Sequence, residues 1–245
     1  MAGKGNKMYQ AIFFDLDGTL LPMDQEVFTK AYFAKLSEKL AVTGKTAGEL
    51  IPAVWAGVKQ MVKNDGKRTN EAVFWETFIQ LTGLSEEVVR PLCDEFYKVD
   101  FHAVRPVTGK NPLALRAVAA ARAICPNVVL ASNPLFPLDG QLTRMSWVGL
   151  SAKDFTAITS YETDSFCKPN PAYYQALCKR LGVDPKDCLM IGNDEAEDMA
   201  AATAAGLSGY LVTDCRIPSQ AHPWKGAQGS FAELTDALEH GFATK

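Results

Sequence analysis

The most constraining stretch of this chain is short. Ala11, Ile12, Phe13 and Phe14 form an apolar run of the kind buried on both faces in a parallel sheet, and Asp15, Leu16, Asp17, Gly18 and Thr19 follow at once. If the backbone stays extended past Phe14, the side chains of Asp15 and Asp17 leave on the same side, and Gly18 then lets the chain turn. The carboxyl end of a buried strand is where open α/β sheets bind ligands. Two carboxylates gathered there repel unless a proton or a cation intervenes, so the pair points to a metal site. The competing reading, an Asp-rich turn that only ends a strand, loses ground as later stretches are added.

A chain of 245 residues suits one large domain or a core with a smaller insert, and 47% apolar with 22% charged residues supports a full hydrophobic core. A formal charge of -3 gives no reason to expect a nucleic-acid or anionic-membrane partner. The first residues, MAGKGNKMYQ, lack the apolar region of a signal peptide, residues 1–7 read as a flexible leader, and no apolar run reaches membrane-spanning length. A cytoplasmic location is expected, with the oligomeric state left open. The six cysteines show no CxxC pair and read as reduced thiols, and the three histidines are too dispersed for a His-ligated site.

From about Asp24 to Val104 every periodic segment is helical. Phe28, Tyr32, Phe33, Leu36 and Leu40 mark a first helix over 24–41. Leu50, Ile51, Val54, Trp55, Val58, Met61 and Val62 mark a second, Phe74, Phe78 and Leu81 a third with Thr69 as N-cap, and Val88, Val89, Leu92, Phe96 and Tyr97 a fourth opened by Ser85. An insert this long between two strands is expected to be a separate small domain, its aromatics mostly bundle core, tethered near 21–24 and 104–109. The core pattern then resumes with a helix over 112–124 and a buried strand over 127–131, followed by Ser132, Asn133 and Pro134. A helix is expected over 138–148 and a strand over 155–159. Lys168 stands before Pro169 and a helix over 171–181, held out of helical geometry by the proline. A strand over 188–191 ends in Gly192, Asn193, Asp194, Glu195, Ala196, Glu197 and Asp198, which places Asp194 and Asp198 on one face. A strand over 209–213, a Pro- and Gly-rich loop over 214–229, and a last helix capped by Ser230 and Glu233 complete the chain.

These stretches carry a family resemblance. DLDGT after an apolar run, SNP after the next core strand, KPNPAYY, and GNDEAED resemble, in order, the four motifs of the haloacid dehalogenase-like (HAD) superfamily, in its phosphatase branch. The resemblance implies an α/β, Rossmann-like parallel sheet flanked by helices, formed by residues 1–21 and 105–245, with residues 22–104 as an all-helical C1-type cap. It implies a magnesium-dependent phosphatase acting on a small-molecule phosphate monoester through an aspartyl-phosphate intermediate. Asp15 would be the nucleophile, Asp17 the general acid and base, and Lys168 the catalytic cation, with Ser132, Asn133 and Lys168 binding the phosphoryl group. Mg2+ would be held by Asp15, by Asp17 through its backbone carbonyl, and by Asp194. The chain departs from many relatives in having Asn193 directly after Gly192, so Asn193 and Asp198 stand as alternative or outer metal ligands. Asp17 argues against a dehalogenase, which has no leaving alcohol to protonate. A phosphomutase shares nearly every core residue and is the principal alternative; a non-catalytic binding module is the other.

Overall fold

A computed structural model describes residues 9–241; the expected leader, residues 1–7, lies outside them. Six parallel strands form one sheet in the order β3-β2-β1-β4-β5-β6. They are β1 (Ala11–Phe14), β2 (Asn127–Leu130), β3 (Ala157–Ile158), β4 (Cys188–Gly192), β5 (Ser208–Val212) and β6 (Gln228–Gly229). The apolar run of β1 takes a central place because only there are both faces covered. It pairs with β2 through Phe14 and Leu130 and with β4 through Phe14 and Ile191, which fixes the register of all that follows these residues.

Alternation along β1 divides the core. Ile12 and Phe14 pack on the side of α5 (Ala114–Ile124) and α9 (Phe231–His240), among Ala117, Val118, Leu234 and Leu238. Ala11 and Phe13 pack on the side of α7 (Pro171–Leu181) and α8 (Ala201–Ala204), among Tyr173, Tyr174, Leu177 and Ala202. Both faces are therefore buried, as an all-parallel sheet requires.

Between β1 and β2 lie α1 (Gln25–Leu40), α2 (Ala47–Val62), α3 (Asn70–Thr82) and α4 (Glu86–Lys98), then a 3-10 stretch, Asp100–Val107. Asp24 caps α1 by accepting from the Glu26 and Val27 amides, and Thr69 caps α3 by accepting from Ala72. The two tethers run side by side, with the Gly109 amide donating to the Pro22 carbonyl at 2.7 Å. The insert is not packed in isolation. Tyr32, Phe78, Phe96 and Tyr97 belong to the same hydrophobic cluster as Ile12 and Phe14. The start of α3 also rests on the core, its Asn70 and Glu71 amides donating to the Asp164 and Tyr161 carbonyls.

Some expected elements differ in extent. The strand expected over 155–159 reduces to Ala157–Ile158, and the helix expected over 138–148 ends earlier, as α6 (Leu138–Ser146). The loop over 214–229 supplies a sixth strand, Gln228–Gly229, which periodicity cannot signal at that length. Residues Glu195–Ala200 form a π-helical turn rather than the start of an α-helix. All six cysteines are free, and among the described residues no helix is long and apolar enough to cross a membrane.

Candidate active site

The sheet's parallel register carries Asp15, Ser132 and Asn193 to one edge, each just beyond the end of its strand. The Asp15 amide donates to the Ile191 carbonyl at 2.9 Å, so its backbone position is set by β4. The chain then turns through Gly18, whose φ of 91° suits glycine. A Cβ there would lie 2.3 Å from Asn193 Nδ2. Thr19 Oγ1 donates to Asn193 Oδ1 at 3.0 Å, and Asn193 Nδ2 donates to the Cys215 carbonyl at 2.7 Å. The Asn193 amide thus braces the turn after Asp17 and is engaged at both ends, which disfavours it as a metal ligand. The loop after β5 is part of the same brace, since Ser219 donates its amide to the buried Glu195 and Arg216 pairs with that carboxylate.

Lys168 is the charge centre. Its ammonium is 1% exposed and donates to Asp15 Oδ1 at 2.8 Å and Asp198 Oδ1 at 2.6 Å. Burial alone would depress its pKa, but Asp15 and Asp198 more than offset that, so the ammonium keeps its proton. Asp198 is positioned in turn by the Asn193 and Asp194 amides, both 3.0 Å from Oδ2. Gly192 is needed for this approach, because a Cβ there would meet Asp198 Oδ2 at 2.2 Å. Asn133, expected to position the phosphate or substrate, borders the cleft, and its side chain is tied to the lysine loop: Oδ1 accepts from the Lys168 amide, while Nδ2 donates to the Lys168 carbonyl and, at 3.0 Å, to Glu197 Oε2.

Burial pushes the Asp15 carboxyl up to about 8, against the pull of Lys168 and with the help of Asp198 and Asp17. Burial likewise raises Asp194, against the Glu197 and Ala196 amides that bond its Oδ1, and lifts Glu197 to about 7. A cleft of about 280 Å³ is bordered by Asp15, Asp17, Ser132, Asp194, Glu197 and Asp198. Its acids outweigh Lys168, and dianionic phosphate would be repelled there without further positive charge.

Sequence reasoning missed one cation. Arg144 of α6, with no exposed surface, is ion-paired to Asp17 Oδ2. It also donates to the Gly140 carbonyl and to Gln141 Oε1, and its guanidinium lies 4.0 Å from the centre of the Phe136 ring. Asp17 Oδ1 is left buried without a partner. Arginine on a helix normally reads as solvated, and the contact spans 127 positions, so only a buried arginine facing an acidic strand end reveals it.

A divalent ion would draw on the oxygen donors of the cleft. Among the described residues, no group of three His, Cys, Asp or Glu side chains gathers to hold a metal unaided. The Asp17 carboxyl, expected to face the leaving group while its backbone carbonyl ligates the metal, is paired through Oδ2 with Arg144. Asp15 Oδ2, Asp194 Oδ2 and the Asp17 carbonyl, which receives only a 3.4 Å contact from Gln25, remain as oxygen donors. That set fits Mg2+, which keeps several waters and takes one or two carboxylates plus phosphate oxygens.

Comparison with known proteins adds a second line of support. The family model described as haloacid dehalogenase-like hydrolase matches residues 9–206. The chain is similar to glyceraldehyde 3-phosphate phosphatase of Methanothermobacter thermautotrophicus, 24% identical over 215 residues, 84% of this chain and 86% of that protein. It is also similar to phosphoglycolate phosphatase of Xylella fastidiosa, 25% identical, covering 85% of this chain and 82% of that one. In fold it resembles 2-haloacid dehalogenase from Pseudomonas syringae pv. Tomato, with a TM-score of 0.62, 19% identity, and 94% and 98% of the two chains covered.

Proposed function

Because this chain belongs to the haloacid dehalogenase-like hydrolases and is a phosphoric monoester hydrolase among them, we propose that it cleaves a small phosphate monoester through an aspartyl-phosphate on Asp15, with Mg2+ as cofactor. Residues 22–104 act as the cap over that site, and residues 1–21 with 105–245 as the catalytic core. The observation that carries this reading is the buried Lys168 ammonium bonded at once to Asp15 and Asp198, which leaves Asp15 Oδ2 free beside the cleft.

In the first step Asp15 Oδ2 attacks phosphorus in line, and the bond to the leaving oxygen breaks. Asp17 holds the proton that the departing alcohol needs. Burial raises its carboxyl against the pull of Arg144, and because Oδ2 is engaged by the guanidinium, the unpartnered Oδ1 is the oxygen left to pass the proton. Arg144 therefore orients the acid without touching substrate. Lys168 and the Ser132 hydroxyl hold oxygens of the transferring group as charge develops. In the second step Asp17 Oδ1 takes a proton from the water that attacks the aspartyl-phosphate, releasing inorganic phosphate. Asp15, the Asp17 carbonyl and Asp194 would hold Mg2+, which would supply charge neutralisation for the transferring phosphoryl group. Asp198 acts by fixing Lys168, and Asn133 by holding its loop.

The test is phosphate release from a panel of phosphate monoesters, with and without magnesium, beside Asp15→Asn. Magnesium-dependent release that the variant lacks supports the proposal. Isomerised sugar phosphate without free phosphate would establish a mutase instead, and no release from any ester would favour a binding module.

A further inference from the structure

A second cavity opens beside the acidic cleft, of about 200 Å³, where the helical insert meets the carboxyl edge of the sheet; Phe33, Val54, Phe74, Phe78 and Tyr161 are among its walls. Asp17, Gln25, Leu135 and Phe136 border both spaces, so the two meet at the residue that protonates the leaving group. Among the described residues that line it there is no Lys, Arg or His. Its polar groups largely satisfy one another. The Tyr32 and Tyr97 hydroxyls share a 2.7 Å hydrogen bond, and Trp75 Nε1 donates to the Tyr161 hydroxyl at 3.3 Å. Cys93, also in the wall, is a protonated thiol, pushed up to about 12 by burial.

Protein interiors hold few voids larger than a water molecule, and a void of this size inside a core forfeits much of a fold's marginal stability. An opening kept on the reacting side is accounted for by an occupant. A dry apolar cavity of about 150 Å³ holds one benzene ring; this one therefore takes a ring with roughly one or two further carbons. A sugar's hydroxyls would find the tyrosine pair already bonded, and the carboxylate of a hydroxy acid would find no cation.

We propose that the leaving group is an apolar alcohol of about one aromatic ring, released from its phosphate monoester, rather than a sugar or a hydroxy acid. The inference rests on the phosphatase reading above. The phosphorus–oxygen bond to that alcohol breaks as Asp15 Oδ2 bonds phosphorus, the Asp17 proton passes to the alcohol oxygen, and water then yields inorganic phosphate and restores both aspartates.

Phosphate release by the full chain with magnesium is compared for benzyl and 2-phenylethyl phosphates against 2-phosphoglycolate and glucose 6-phosphate. The apolar esters are expected to be favoured in kcat/KM by on the order of 100-fold. Equal or faster release from the polar esters overturns this inference and leaves the phosphatase reading intact, whereas no release from any of these esters or from acetyl phosphate, an acyl phosphate, overturns both. Val54→Phe, which fills the cavity, is expected to lower the preference for benzyl over methyl phosphate by about tenfold or more, and an unchanged ratio in a folded variant overturns it. In the native chain, benzyl alcohol should change tryptophan emission saturably through Trp55 and Trp75, which line the cavity; absence of any saturable change in intensity or wavelength also overturns the inference.

Discussion

The two cavities that meet at Asp17 are built by different means. In the acidic cleft, each group is tied to backbone set by strand register: Asp15 to the Ile191 carbonyl, Asp198 to the Asn193 and Asp194 amides, Lys168 to those two aspartates. The apolar cavity is walled mainly by side chains from helices of the insert, with Leu135 and Phe136 from the loop after β2 and Tyr161 from the loop after β3, and its hydrogen bonds are side-chain pairs, Tyr32 with Tyr97 and Trp75 with Tyr161. Charge acting at short range in a dry site is steeply sensitive to position, whereas an apolar wall repacks at modest cost. Changes in the cleft should therefore act on rate, and changes in the apolar wall on selectivity.

The largest effect that would break this contrast is at the cleft's centre. Asp15→Asn keeps the shape but supplies no nucleophile, and turnover should fall by at least about 10⁴-fold, read as phosphate release; retention of activity would remove Asp15 from the chemistry. Lys168→Met leaves Asp15 and Asp198 buried without their cation, and should cost about 3–5 kcal/mol in urea unfolding as well as most of kcat. Arg144→Met sharpens the comparison, because Arg144 lies behind Asp17 and not in the cleft's wall. It should cost about 2–4 kcal/mol, lower kcat more than it raises KM, and shift the pH profile of kcat; a variant that loses stability alone would confine the arginine to a structural role.

Glu197 offers a test through pH. Burial raises its carboxyl from 4.5 to about 7, so between those values the folded chain keeps a proton that the unfolded chain has lost. Its contribution to stability is fully present below 4.5 and is lost as pH rises through 7. Measured without divalent ions, Glu197→Gln should be more stable than the parent by about 1–3 kcal/mol at pH 8, the gap closing towards acid. The smallest effect is expected far from both cavities. Lys30 pairs with Glu26 on the open face of α1, both side chains more than 70% exposed, and Lys30→Ala should change stability by less than about 0.5 kcal/mol.

Legibility followed the range of the interactions concerned. The central strand, the helical insert, the caps at Thr69 and Ser230, and the gathering of Asp15, Lys168, Asp194 and Asp198 were all readable. Each rests on local periodicity, on capping chemistry, or on the rule that parallel strands present their ends to one edge. Asn193 and Asn133 were placed at the right edge, but what their amides bond was not readable. An asparagine offers both donor and acceptor, and its neighbours in space decide which are used. The short strand Gln228–Gly229 and the bracing loop around Cys215 and Ile217 depend on contacts with β5 and Asn193 that leave no period in the chain.

The order of residues alone determined that a buried strand ends in two carboxylates, that three further polar segments follow buried strands or open helices on the same edge, and that a helical insert separates the first from the rest. These follow from side-chain size, charge and period. Only the tertiary structure decided that Arg144 crosses 127 positions to pair with Asp17, and that the insert's aromatics leave an apolar space open beside it instead of closing into solid core. Both depend on how helices pack onto a sheet, and helix packing is set by the sum of many weak contacts among residues far apart in the chain.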